Sequence, residues 1–115
     1  MTIHRHHVGK RLTDMVVHNE TIYLAGQVAD DTSKDITGQA EEVLDHIARL
    51  LQEAGSEKSK LLSVQIFLPD MADYAAMNAV WDKWVVPGHT PARATIEAKL
   101  ASPAYKVEVM AIAAL

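Results

Sequence analysis

Two charged residues in the C-terminal third of the chain stand where a reaction could use them. Arg93 lies in Pro91-Ala92-Arg93-Ala94-Thr95, at the start of a segment whose alternate residues Ala94, Ile96 and Ala98 read as buried. A guanidinium fork holds a carboxylate through two parallel N–H···O bonds, so an Arg in such a place suits a carboxylate ligand. The plainer alternative is a strand Arg that pairs with Glu97 or Glu108. Glu108 sits between Val107 and Val109 in a stretch that is otherwise apolar as far as Leu115. If another subunit covered it, desolvation would raise its pKa and fit it for general acid or base work. Left in water, it is the outward residue of an alternating strand.

Other candidates are weaker. Leu24-Ala25-Gly26-Gln27 ends an apolar segment on a glycine. That glycine either lets a backbone approach a ligand and offer N–H groups, or marks a simple bend. His4, His6 and His7 resemble a metal cluster, and residues two apart on a strand share a face. A third ligand with supporting carboxylates has no obvious spacing nearby, so a frayed terminal strand is the better reading, and no metal is expected. His18, His46 and His89 are scattered. No nucleophile elbow, GxGxxG or P-loop appears, and nothing calls for a nucleotide cofactor. Trp81 and Trp84, three apart, read as core or interface.

Composition bounds the rest. The chain has 115 residues, 49% of them apolar, which describes a single folded domain over 1–115. A net charge of −4 and the lack of any Lys/Arg run give no general attraction to phosphate backbones. With no cysteine, disulfide scaffolds, thiolate zinc sites and Cys nucleophiles are excluded. The first ten residues are polar and His-rich, and no apolar run is long enough to span a bilayer, so neither a signal peptide nor a membrane partner is expected. The expected location is the cytoplasm.

The elements that must position these residues follow from periodicity. Residues 15–18 and 21–25 read as strands around a tight Asn19-Glu20 turn, with a possible further strand at Ile3–Val8. Asp30 to Asp35 reads as a loop. From Thr37 to Ala54, Ala40, Val43, Leu44, Ile47, Leu50, Leu51 and Ala54 recur at helical spacing. Thr37 is the expected N-cap and Gly55 the residue just past the end. Lys60 to Leu68 alternates, with Leu62, Val64, Ile66 and Leu68 on the buried side. Asp70 should cap a second helix whose apolar side is Met71, Tyr74, Met77, Val80, Trp81 and Trp84, stopped by Pro87-Gly88. Strands at about 92–98 and 105–113 complete an α+β fold with both helices on one face of a mixed sheet. The other face would then be bare, and a second copy of the chain is the expected cover.

Taken together, these segments resemble the RidA/YjgF family of small enamine/imine deaminases, over about Leu12 to Ala114. The most specific piece is Pro91-Ala92-Arg93 followed by Lys106-Val107-Glu108-Val109 and Ala111-Ile112-Ala113. Leu24-Ala25-Gly26-Gln27 is similar to the family's Ser-Gly-Gln turn. Tyr74 to Trp81, with Asn78 in the matching place, is similar to its second-helix signature. Gln39-Ala40 and Glu53-Ala54-Gly55 match the first helix.

The resemblance implies a chorismate-mutase-like α+β fold assembled as a homotrimer, with the sheets forming a central barrel and clefts between subunits. It implies cofactor-independent hydrolysis of 2-imino or 2-enamine acids to 2-keto acids and ammonia. Arg93 would clamp the substrate carboxylate, which fixes C2 for water attack. Glu108 would position or activate water and shuttle protons. Backbone groups at Ala25, Gly26 and near Thr95 would complete the cleft. Where RidA-type members carry a Tyr before the first strand, this chain has Lys10-Arg11-Leu12-Thr13, and Ala25 replaces the turn's Ser. These departures support an alternative, a metabolite-binding or regulatory trimer with little turnover. A third option, an endoribonuclease, fits the acidic balance least.

Overall fold

Asn19 and Glu20 both take left-handed φ values, 52° and 65°. Two successive residues of that kind form the turn whose twist matches a hairpin. The computed structural model, which describes residues 2–115, places β2 (Thr13–His18) and β3 (Thr21–Leu24) on either side of this turn. Ahead of them β1 (His4–Val8) pairs antiparallel with β2, so the N-terminal segment is a paired strand and not a frayed one. Then come α1 (Ile36–Glu53), β4 (Leu61–Leu68), α2 (Tyr74–Trp84), β5 (Ala92–Glu97) and β6 (Glu108–Ala114). The six strands make one mixed sheet in the order β1-β2-β3-β6-β4-β5. Only β4 and β5 run parallel, as a strand–helix–strand crossover through α2 requires.

Both helices cover the same face. Ala40, Val43, Leu44, Ile47 and Leu51 of α1, with Met77 and Trp81 of α2, pack on Met15, Val17, Ile22, Leu24, Val64, Ile66, Val109, Ala111 and Ala113. Full burial of each aliphatic or aromatic side chain stabilises by roughly 1.5–3 kcal/mol, which is what holds the short helix α2 in place. The α1 N-cap is Asp35 and not Thr37: its carboxylate accepts the Gly38 N–H at 2.9 Å. Gly55 follows the helix end with φ of 85°, as expected. Asp70 caps a single 3₁₀ turn, residues 71–73, accepting the Ala72 N–H at 2.9 Å, and α2 begins only after it. That shift leaves Met71 and Tyr74 outside the core, each 39% exposed.

Register also corrects the strands. A bulge between Leu61 and Ser63 turns Leu61 inward and leaves Leu62 exposed. β6 begins at Glu108, later than the expected 105; Val107 just before it is fully buried. On β5, Ala94 and Ile96 face away from the helices and are exposed, whereas Arg93 and Thr95 face them. The helix-free face carries Tyr23, Met110 and Ile96, which are 47%, 37% and 42% exposed. An apolar sheet face in water is the surface on which a second copy can pack.

Candidate functional site

Arg93 faces α2, and neutral groups hold it there. Its Nη1 donates to Oδ1 of Asn78 at 2.8 Å and its Nη2 to the Tyr74 hydroxyl at 3.3 Å. The guanidinium lies 5.1 Å from the centre of the Trp81 ring and 6.0 Å from that of Tyr74. Asn78 and Trp81 are three apart on α2, and Tyr74 and Asn78 four apart, so helical spacing presents all three to the β5 edge. Among the described residues no carboxylate pairs with Arg93. Glu97, one expected partner, instead accepts the Met71 N–H at 3.1 Å. A guanidinium has five N–H donors. Two are engaged, and the remaining three with their positive charge are free for an anion. Two residues along the same side of β5, the Thr95 hydroxyl is buried without a hydrogen-bond partner.

Glu108 occupies the opposite face. It stands across from Phe67 of β4, which in turn stands across from Ile96 of β5, so the three form one row on the helix-free side. Its carboxylate lies against Gly26. A Cβ built on Gly26 would fall on Oε2 of Glu108 and within 2.9 Å of its Cδ. Glycine is what lets the Glu108 carboxylate rest here; any side chain would push it aside. The neighbouring amides are engaged, Ala25 N–H with the Asp14 carbonyl at 2.8 Å and Gln27 N–H with the Val109 carbonyl at 2.8 Å. Of the three N–H groups of the expected turn, Gly26 alone has one without a partner among the described residues. The Ala25 carbonyl accepts the Gln27 side-chain amide at 3.1 Å.

One residue that supports this corner has no chemistry of its own. Gln39 is fully buried. Its amide nitrogen donates to the carbonyls of Lys34 at 3.1 Å and Ala104 at 3.0 Å, and its oxygen accepts the Lys106 N–H at 2.9 Å. It thus ties the loop before α1 to the segment that enters β6 at Glu108. In the sequence its signs are the match of Gln39-Ala40 to the family's first helix and a polar residue beside an apolar stripe.

The histidines separate into different settings. His6 Nδ1 and His7 Nε2 meet the two oxygens of Glu53 at 3.0 and 2.9 Å, which fastens β1 to the end of α1. The carboxylate raises the His7 pKa, and the two imidazoles lower that of Glu53. Asp30, Glu42 and His46 bring three possible ligand atoms within 4.8 Å of one another. The Glu42 carboxylate there already accepts the Asp30 and Asp31 N–H groups and pairs with Lys34 at 3.1 Å. These bonds hold its pKa below the usual carboxylate range.

Two of the surface clefts are sizeable. One of about 420 Å³ lies between the helices, lined in part by Thr37, Leu44, Lys58, Val80 and Trp84. Another of about 540 Å³ runs past Asp14, Gly26, His46 and Arg49. Neither is lined by Arg93 or Glu108, so one chain brings Gly26 to Glu108, and Thr95 to the side of Arg93, but not the two halves to each other. No helix of the described residues is long and apolar enough to cross a membrane.

Known proteins share this architecture throughout. The family model described as Endoribonuclease L-PSP matches residues 2–115. A "RutC family protein" of Haemophilus influenzae is 48% identical over 114 residues, covering 98% of both chains. The "RutC family protein YoaB" of Escherichia coli is 44% identical over 115 residues, covering 100% of both. A crystal structure of an uncharacterized protein from Pseudomonas aeruginosa superposes with a TM-score of 0.96 at 45% identity, covering 98% of each chain. One of a YjgF family member from Neisseria meningitidis does so with a TM-score of 0.96 at 42% identity, covering 99% of this chain and 95% of that one. With a family model matched over residues 2–115 and relatives 44–48% identical over nearly the whole chain, this α+β protein belongs to the YjgF/RidA family.

Proposed function

We propose that the protein hydrolyses 2-imino acids, and the 2-enamine acids that tautomerise to them, to 2-keto acids and ammonia, in clefts between the subunits of a homotrimer. The observation that carries this reading is Arg93: a cation held by an amide, a phenol and an indole face, with no acidic partner among the described residues and three donors free. Such a group favours a planar carboxylate, because a bidentate pair supplies both charge and geometry. With the carboxylate fixed, C2 of the imine is held for attack, and the entropy of orientation is already met. Glu108 then takes one proton from water as it adds to C2 and passes it to the imine nitrogen, and it carries the second, from the new hydroxyl, to nitrogen as C=O forms and the C–N bond breaks. Water and the imine are consumed; the ketone and ammonia leave.

Neither step needs a metal or an organic cofactor. The net charge of −4 favours a small anion on one Arg over a nucleic acid, which would need many cations on one face. The expected setting is the cytoplasm, where amino-acid metabolism releases imines.

The experiment couples amino-acid oxidases of both stereochemical preferences to the protein and follows keto-acid release. Acceleration over spontaneous hydrolysis, lost in Arg93→Ala and in Glu108→Gln, is the expected result. Tight keto-acid binding with no acceleration would favour the alternative reading, a metabolite-binding trimer.

A further inference from the structure

We infer that Tyr74 is a second binding group for the substrate carboxylate and sets the selectivity of the Arg93 clamp, an inference that rests on the function proposed above. The Arg93 Nη2 donates to the Tyr74 oxygen at 3.3 Å. That bond uses a lone pair of the phenol and leaves its own O–H without an acceptor among the described residues. A phenol that accepts from a guanidinium is polarised, so its proton is a better donor to an anion on the same guanidinium.

Position agrees with this. Tyr74 is the first residue of α2 and is 39% exposed, whereas Trp81, the other ring on the guanidinium, is 6% exposed. Trp81 is thus the floor of the clamp and Tyr74 the wall that an incoming ligand meets. Burial does not explain a large aromatic side chain there, since the ring contributes little to the core. A carboxylate seated on the Arg fork presents two oxygens and about four lone pairs. Two receive the fork, and a third is within reach of a hydroxyl that lies 3.3 Å from one prong. The same wall limits what can follow the carboxylate: a group on C2 must pass the Tyr74 ring.

The test uses calorimetry and near-ultraviolet difference spectra on the intact protein, with 2-oxobutanoate as probe. Titration of the unsubstituted protein should give a tyrosine difference signal, because the phenol gains an acceptor. Tyr74→Phe keeps the ring. It should lose that signal, weaken the dissociation constant by roughly tenfold or more, and raise KM with little change in kcat. Tyr23 and Tyr105 remain in that variant as internal controls. A structural role for Tyr74 would leave the difference signal of the unsubstituted protein flat on ligand addition. If the protein binds 2-oxobutanoate, and Arg93→Ala does not, while Tyr74→Phe binds within about twofold of the unsubstituted protein, the inference is overturned and the proposed function stands. If the unsubstituted protein fails to bind the probe, or Arg93→Ala binds it equally, the proposed function falls and this inference with it.

Discussion

Arg93 and Glu108 point from opposite faces of one sheet. Arg93 stands across from Val64 of β4, and Glu108 across from Phe67 of the same strand. Those partners lie three positions apart in regular register, an odd offset, and side chains alternate along a strand. The cation therefore faces α2 and the carboxylate faces away from both helices. No side-chain rotation brings them together, because the sheet lies between. A site that uses both takes Arg93 from one chain and Glu108 from another.

This arrangement predicts complementation. In a cyclic trimer each cleft draws one residue from each of two neighbours. Arg93→Ala and Glu108→Gln should each be inactive alone. Unfolded together and refolded as mixed trimers, they should recover about a quarter of the unsubstituted activity, since half of the chains carry each intact residue and the two are drawn independently. Light scattering should show the trimer, and activity after co-refolding gives the measurement. Equal mixtures that stay inactive, with mixed trimers demonstrated by mass spectrometry, would place both groups in one chain's cleft.

The second prediction concerns Gly26. A methyl there would occupy the space of the Glu108 carboxylate. The flexible end of Glu108 can move aside toward open solvent, so the fold should tolerate Gly26→Ala with a loss of about 1 kcal/mol or less. Turnover should fall by about 10² or more, because general acid–base groups act only at the right position. Keto-acid binding at Arg93 should be little changed. Chemical denaturation, calorimetry and initial rates separate the three quantities. A normal rate in this variant would detach Gly26 and Glu108 from the chemistry.

Much of this site was legible before any coordinates. Alternation placed Arg93, Thr95 and Glu108 on strands, and the 3.6-residue period located both helices. What alternation lacks is a sign. On β5 the apolar residues Ala94 and Ile96 read as the core side, yet they face the bare side of the sheet, and polar Arg93 and Thr95 face the helices. An edge strand that awaits a cover reverses the usual pattern. The bulge at Leu62 was invisible because one inserted residue shifts the phase without changing the period. Asp35 and Thr37 are both capping types two residues apart, and only the Asp35–Gly38 bond decides between them. His6 and His7 find Glu53 more than forty residues away, a pairing that local spacing cannot show.

Gln39 gives a third prediction. Gln39→Leu keeps the volume but removes the partner of the half-buried hydrogen bonds to the Lys34 and Ala104 carbonyls and from the Lys106 N–H. Each orphaned group costs about 1–3 kcal/mol, partly relieved by water, so the loss should be roughly 2–4 kcal/mol in denaturant titration. The Lys106–Glu108 segment should loosen with it. Increased amide exchange at Val107 and Glu108, beyond the global loss of stability, would show that Gln39 positions Glu108. A loss below about 0.5 kcal/mol would make the network a bystander.

The last prediction uses pH. Glu53 bridges His6 and His7 in the open, where His7 has a left-handed φ of 59°, and the Glu53–His7 contact is one that titrates. The pKa of His7 is raised above its ordinary 6.5 by the hydrogen bond and charge of Glu53. Its contribution is full below that value and fades as pH rises through the raised one. The pKa of Glu53 is lowered from 4.5 by hydrogen bonds from His7 and His6. Its contribution is full above that value and fades as pH falls through the lowered one. The fastening should therefore be strongest between about pH 4.5 and 6.5 and weaken on both sides. Both partners are exposed to solvent, so the effect is local and salt-sensitive, not a large share of global stability. Amide protection in β1, measured against β4 as an internal reference, should fall as pH rises above about 6.5 and fall more steeply at low ionic strength. Glu53→Gln should remove the pH dependence and leave β4 unchanged. Protection of β1 that is flat with pH in the unsubstituted protein would mean that pairing with β2 alone holds the strand.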